Sequence, residues 1–220
     1  SGAADVLEAL GVRIGLEPER ARQVLAQTGI VFLFAQTHHP AMKHVGNARK
    51  QIGRRTIFNL LGPLASPARV TRQLVGVFSS DWLVPYAQAL KDLGSESAWI
   101  VHGRDGLDEI SISGATDVAI LDHGDIARRE ITPEEAGLKR WPLADIRGGD
   151  AAHNAAMLRH LLEGDAPGAY HDIVLLNAAA ALVVAGQAQT LKDGAALAEA
   201  AIRGGGALAA FNTLRMASNA

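Results

Sequence analysis

The stretch TRQLVGVFSSDWLVPYAQALKDLGSESAWIVHG, residues 71–103, decides the fold. Gln73 to Phe78 is a short run rich in Val, Leu and Phe, and predicts a strand. Trp82 to Leu93 carries apolar residues at helical spacing, and Gly94 follows it. Ser97 to His102 is again short and apolar, a second strand. Two strands joined through a helix lie parallel, because a parallel pair needs a long crossover. The expectation is therefore an α/β fold, a mostly parallel sheet flanked by helices.

Working outward, Glu109 to Ser113, Asp117 to Leu121 and Ala127 to Ile131 read as short strands separated by turns, an antiparallel addition to that sheet. Thr132-Pro133-Glu134-Glu135 has the form of a capping box, but Gly137 ends the segment quickly. From Asp150 onward helices are expected over 151–163, 172–186, 191–203 and 207–216, with Gly204-Gly205-Gly206 as an interhelical turn. Upstream, Asp5 to Leu10 is a short helix. A second starts at Pro18, where proline suits the first turn, and closes at Gly29 in a left-handed conformation. Ile30 to Phe34 reads as a buried strand, and a third helix follows His38-His39-Pro40 and runs to about Gly53. Residues 1–220 read as one incomplete α/β domain.

Composition narrows the function classes. The 220 residues are 48% hydrophobic and 5% aromatic, with a formal net charge of −2, which does not suit a dedicated nucleic-acid binder. With no cysteine, disulfide scaffolds and thiolate metal sites are excluded. No apolar run reaches the roughly 18 residues of a membrane helix. The N-terminus lacks the regions of a signal peptide. The expectation is a soluble cytoplasmic protein.

Three features could carry chemistry. If Ala41 to Ile52 is helical, Ala41, Met42, Val45, Ala48 and Ile52 form one apolar stripe, and Arg49 projects inside it. Such an arginine snorkels out, pairs with a protein carboxylate, or receives an anionic ligand. Second, the loop Gly103 to Glu109 follows a predicted strand, where open parallel sheets gather ligands. Its adjacent Asp108 and Glu109 are either a solvated acidic pair or ligands for Mg²⁺, which takes one or two carboxylates with waters and phosphates. Third, small residues from Ser1 to Asp5 open a helix whose N–H groups could meet a phosphate. His38, His39 and His44 match no zinc spacing, and Arg54-Arg55 reads as a solvated basic pair.

These pieces resemble the anthranilate phosphoribosyltransferase family. The resemblance is carried by Ser1 to Gly11, by His39 to His44, by Ala48 to Lys50, by Arg55 to Pro63, by Gly106 to Ile110 and by Leu176 to Leu182, in the expected order across nearly the whole chain. It implies a nucleoside-phosphorylase/phosphoribosyltransferase-like C-terminal domain. It also implies an N-terminal part outside this sequence, with an initial helical domain, a Gly-Thr-Gly-Gly-Asp strand-end motif and a Lys-His-Gly-Asn-Arg segment, some segments here packing on that helical domain.

The implied reaction joins the amine of anthranilate to the ribose of phosphoribosyl pyrophosphate (PRPP), in tryptophan biosynthesis, in a cytoplasmic homodimer. Arg49 would contact anthranilate and Ala3 would contact PRPP, with Asp108 and Glu109 holding Mg²⁺. Two fold relatives compete. A nucleic-acid-binding relative should be basic and should have lost the acidic pair. A pyrimidine nucleoside phosphorylase is disfavoured by the His39 to Pro63 block and by Arg49.

Overall fold

The computed structural model describes residues 1–39, 56–165 and 167–220. In chain order its elements are α1 (Ala3–Ala9), α2 (Pro18–Thr28), α3 (Ala35–His38), α4 (Leu61–Leu64), β1 (Arg72–Gly76), α5 (Leu83–Asp92), β2 (Ser97–Gly103), β3 (Thr116–Asp122), β4 (Asp125–Ile131), α6 (Ala151–Leu162), α7 (Ala169–Val184), α8 (Leu191–Arg203) and α9 (Gly206–Asn219). They form two compact units. The first comprises Ser1–Gly62, Gly148–Asp165 and Ile202–Ala220; the second comprises Pro63–Arg147 and Ala166–Ala201.

The first unit is helical. Pro18 occupies the first turn of α2, and Gly29 caps its end at φ 74°, its N–H donating to the Leu25 carbonyl at 2.8 Å. The buried face of α2, Ala21 and Val24, packs with Val12, Leu16 and Leu214 of α9. Arg20 fastens the same pair, donating to the Ala217 carbonyl at 2.6 Å. Helix α1 lies against α6.

Ile30 to Phe34 is not a strand in this unit. Val31 and Leu33 alternate inward onto the α2–α9 cluster while Phe32 and Phe34 stack on each other at 6.5 Å. Alternation of that kind gives an extended backbone, but a strand also needs a hydrogen-bonded neighbour, and among the described residues this segment has none. The helix expected over Ala41 to Ile52, and Arg49 with it, lies outside the described residues.

The second unit holds the sheet, in the order β1-β2-β3-β4. Strands β1 and β2 are parallel, joined through α5 as the sequence predicts. Strands β2–β3 and β3–β4 are antiparallel, so the sheet is mixed rather than mostly parallel. The reason lies in the connections. No helix intervenes between Gly103 and Thr116, so the chain can only turn back; and β3 and β4 are joined by His123-Gly124, both at positive φ, as a tight hairpin requires. Glu109 to Ser113 is loop rather than strand.

Both faces of the central strands are covered, so β2 reads as a continuous apolar run. Trp99, Val101 and Val118 face α7, where Ile173, Leu176 and Ala180 meet them. The alternate residues Ala98, Ile100, Ala119 and Leu121 are buried on the opposite face, where α5 supplies Leu83, Tyr86, Ala87 and Leu90. Strand β4 is an edge, and Arg128, Arg129 and Glu130 leave it charged and exposed. The alanines of α7 allow close packing. A Cβ on Gly194 of α8 would stand 2.7 Å from the Ala179 carbonyl oxygen.

Candidate functional site

The loop from Arg104 to Ala115 leaves the carboxyl end of β2 and folds across the carboxyl end of β1. Its closest approach is at Gly76, the last residue of β1. A Cβ there would stand 1.5 Å from the Asp108 carbonyl oxygen, so only glycine admits the loop at this height. Asp108 and Glu109 are thereby held at the strand ends, and both are exposed.

Several side chains fix the loop. At its start, Arg104 pairs with Asp117 at 2.8 Å and with Glu130 at 2.7 Å, tying it to β3 and β4. Asp105 turns inward, where its carboxylate accepts hydrogen bonds from Ser111 Oγ, from Ser113 Oγ at 2.6 Å and from the Leu107 N–H at 3.2 Å. Ser111 is fully buried, and its N–H donates to Thr116 Oγ1 at 2.9 Å. Past the acidic pair, buried Ile110 is gripped by Asn177 of α7. The Ile110 N–H donates to Asn177 Oδ1 at 3.0 Å, and Asn177 Nδ2 donates to the Ile110 carbonyl at 2.9 Å. Trp141 closes the far end, its indole N–H donating to Asp172 at 2.7 Å and its backbone N–H to the Ile112 carbonyl at 3.0 Å.

Asp105 and Glu109 are shifted in opposite directions. Burial pushes Asp105 up, but the hydrogen bonds from Ser111, Ser113 and Leu107 outweigh it and hold the carboxyl below its ordinary value. Although Glu109 keeps contact with solvent, the protein atoms packed around it desolvate its carboxyl, and this desolvation and then the neighbouring Asp108 charge raise it. Tyr170 of α7 is raised by burial first and by the Glu109 charge second. Glu109 is thus a carboxylate whose ionised form is disfavoured until a cation or donor meets it.

Asp105 yields a first prediction. A group held below its ordinary value contributes stability that is present above the ordinary aspartate range and lost as pH falls through its lowered value. Asp105→Asn removes the charge-assisted bonds, and for a partly exposed group the cost is about 1 kcal/mol at pH 7. Urea unfolding of both proteins should show that gap at pH 7 and its narrowing below about pH 4. A gap that widens on acidification would contradict the assignment.

Ala3 is the first residue of α1, in the first unit, and is exposed. The Gly2 N–H beside it donates to Asp5 Oδ2 at 2.9 Å. Asp108 and Glu109 are in the second unit. Arg49, Met42 and Pro40 lie outside the described residues. Among the described residues no group of three or more His, Cys, Asp or Glu could hold a metal ion, so a cation at Asp108 and Glu109 would draw its other ligands from water or substrate. No helix there is long and apolar enough to cross a membrane.

Sequence reasoning alone passed over Gly76, Asp105 and Asn177. Gly76 left a signal, since an isolated glycine inside a strand pattern marks a close backbone approach. Asn177 left one too, as a lone polar residue inside the apolar run of α7.

A parallel β-α-β pair continued by an antiparallel hairpin, with an exposed acidic pair folded over the carboxyl ends of its strands, defines an α/β protein and places that pair at the edge where open α/β sheets gather ligands. The profile of the glycosyl transferase family, a/b domain, matches residues 1–208, and the chain belongs to that family. It is 58% identical over 214 residues to the anthranilate phosphoribosyltransferase of Xanthobacter autotrophicus, covering 97% of this chain and 62% of that protein. Its identity to the Azorhizobium caulinodans enzyme is 58% over 220 residues, 100% of this chain and 64% of the relative. The chain therefore spans somewhat less than two thirds of these curated relatives.

Among solved structures, anthranilate phosphoribosyltransferase from Thermus thermophilus superposes with a TM-score of 0.91 at 42% identity, covering 100% of this chain and 65% of that one. The Saccharomyces cerevisiae enzyme in complex with PRPP and Mg gives 0.91 at 29% identity, covering 99% and 63%.

Proposed function

We propose that this chain is the larger part of an anthranilate phosphoribosyltransferase, which transfers the phosphoribosyl group of PRPP to anthranilate in tryptophan biosynthesis. The observation that carries the reading is the exposed Asp108–Glu109 pair, held at the carboxyl end of the parallel strands by Gly76 and Asn177. The likeness to relatives of that activity over nearly the whole chain supports it. A homodimeric, cytoplasmic enzyme preceded by a helical domain belongs to the same reading and rests on the family resemblance.

In the reaction the anthranilate nitrogen forms a bond to C1 of the ribose, and the C1–oxygen bond breaks with its electron pair on pyrophosphate. The amine then gives up a proton to solvent water. Asp108 and Glu109 offer two hard carboxylate oxygens with room for waters and phosphate oxygens, a donor set that fits Mg²⁺. When bound there, Mg²⁺ supplies charge neutralisation to the pyrophosphate. The amine is already a nucleophile, so the remaining residues act by positioning. Arg49 is assigned to the anthranilate carboxylate and Ala3 to PRPP.

Calorimetric titration of Mg²⁺–PRPP, followed by anthranilate, tests the reading. It is run on the 220-residue chain and on a chimera carrying the first third of the Xanthobacter relative ahead of Ser1. At least one protein should bind Mg²⁺–PRPP. Arg49→Ala should weaken anthranilate by tenfold or more and leave Mg²⁺–PRPP within a factor of about two, as expected for one charge-assisted carboxylate contact. Failure of both proteins to bind PRPP sinks the substrate assignment.

A further inference from the structure

We infer that Asn177 is a positioning residue for the Asp108–Glu109 pair, a claim that rests on the metal-pair reading above. Asn177 is a polar residue in the middle of the apolar helix α7, where asparagine is a poorer helix former than the alanines that follow it. Its amide is fully engaged. Nδ2 donates both to the Ile110 carbonyl at 2.9 Å and to the Ile173 carbonyl one turn back on its own helix at 3.0 Å, while Oδ1 accepts from the Ile110 N–H at 3.0 Å. Helix and loop are thus bracketed at a single residue by a donor and an acceptor together, a geometry that fixes orientation as well as distance.

The bracketed residue follows Glu109 directly. Ile110 is fully buried in the core shared by β2 and α7, so the peptide carrying Glu109 into solvent has one end clamped. Its other end is fixed where the Asp108 carbonyl rests on Gly76. The two carboxylates occupy the short span between these supports. Asp105, three residues before Asp108, spends its own hydrogen bonds on Ser111 and Ser113, so it shapes the loop without touching the helix. Asn177 is the side chain of α7 whose hydrogen bonds tie the helix to the backbone next to the acidic pair.

The variants Asn177→Ala and Asn177→Asp test this against the purely electrostatic alternative. Alanine removes both arms of the bracket. Aspartate keeps an acceptor for the Ile110 N–H, loses the donors, and adds a negative charge near the pair. Binding of Mn²⁺, standing in for Mg²⁺, is followed by water-proton relaxation. Amide hydrogen exchange at Ile110 is read in parallel, with exchange in β2 and the rest of α7 as the measure of fold.

If Asn177 positions the pair, both variants bind Mn²⁺ about tenfold more weakly, the usual scale for a residue supporting metal ligands. Ile110 loses protection in Asn177→Ala, while β2 keeps it. If charge alone governs the site, Asn177→Asp binds Mn²⁺ more tightly than the unmodified chain, and the inference is overturned. Asp108→Ala/Glu109→Ala separates the two claims. Should the unmodified chain bind no Mn²⁺, or this double variant still bind it, the metal-pair reading falls and carries the inference with it. Should the double variant lose Mn²⁺ while both Asn177 variants keep full affinity, the metal-pair reading stands and the positioning role is refuted.

Discussion

Gly76→Ala is expected to lower PRPP-dependent product formation about a hundredfold and to lower Tm as well. The added Cβ would stand 1.5 Å from the Asp108 carbonyl oxygen and 2.6 Å from its carbonyl carbon. Both are backbone atoms, so no flexible side chain can swing aside. The loop must retreat by roughly 1.5 Å before the contact becomes tolerable. Forcing extra volume into such a contact costs about 1–3 kcal/mol. The retreat also carries the acidic pair with it, and a displacement of about 1 Å at a reacting centre is enough for a 10²-fold loss. Gly114→Ala is the matched control in the same loop, because nothing lies within 4 Å of the Cβ it would add. It should leave Tm and turnover nearly unchanged. Equal behaviour of the two variants would mean that the close approach at Gly76 does not govern the loop.

What the sequence could and could not convey follows from how local each feature is. The β1-α5-β2 unit was legible because short apolar runs and helical spacing are properties of neighbouring residues, and the observed bounds differ from the expected ones by a few residues only. Strand direction is not local. The antiparallel turn-back of β3 and β4 was visible as an addition after the parallel pair, but its weight in the sheet depends on how many parallel strands stand beside it, and the described residues hold one parallel pair.

Ile30 to Phe34 shows the same limit from the other side. Its short run of β-branched and aromatic residues predicted a buried strand; the segment does pack Val31 and Leu33 inward, and the missing ingredient was a hydrogen-bonded neighbour. In the candidate site, Asp108 and Glu109 stood out because their loop follows a strand. Gly76 and Asn177 act through contacts across long sequence separations, 67 residues in the case of Asn177 and Ile110. Only a folded chain brings those together.

Replacing both carboxylates by their neutral isosteres, Asp108→Asn with Glu109→Gln, should separate stability from function. Activity that depends on Mg²⁺ is expected to fall about 10²–10³-fold, the scale on which removing one preorganised electrostatic contact to developing charge is felt. Stability should not fall with it. Glu109 is held above its ordinary value by burial and by Asp108, so its ionised form works against the fold. A group raised in this way contributes its full stability only while protonated, and that contribution is lost as pH rises through its raised value.

The double variant therefore matches the unmodified protein at low pH. It becomes the more stable of the two, by up to about 0.5 kcal/mol for such exposed groups, once pH has risen past the glutamate range near about 4.3. Thermal unfolding from pH 4 to 8 without divalent cation reads the sign directly. Saturating Mg²⁺ should erase the advantage, because a ligand that binds only the folded, charged pair stabilises the unmodified protein alone. A variant that loses activity and stability together at neutral pH would show that the pair is structural, and the metal reading would have to be abandoned.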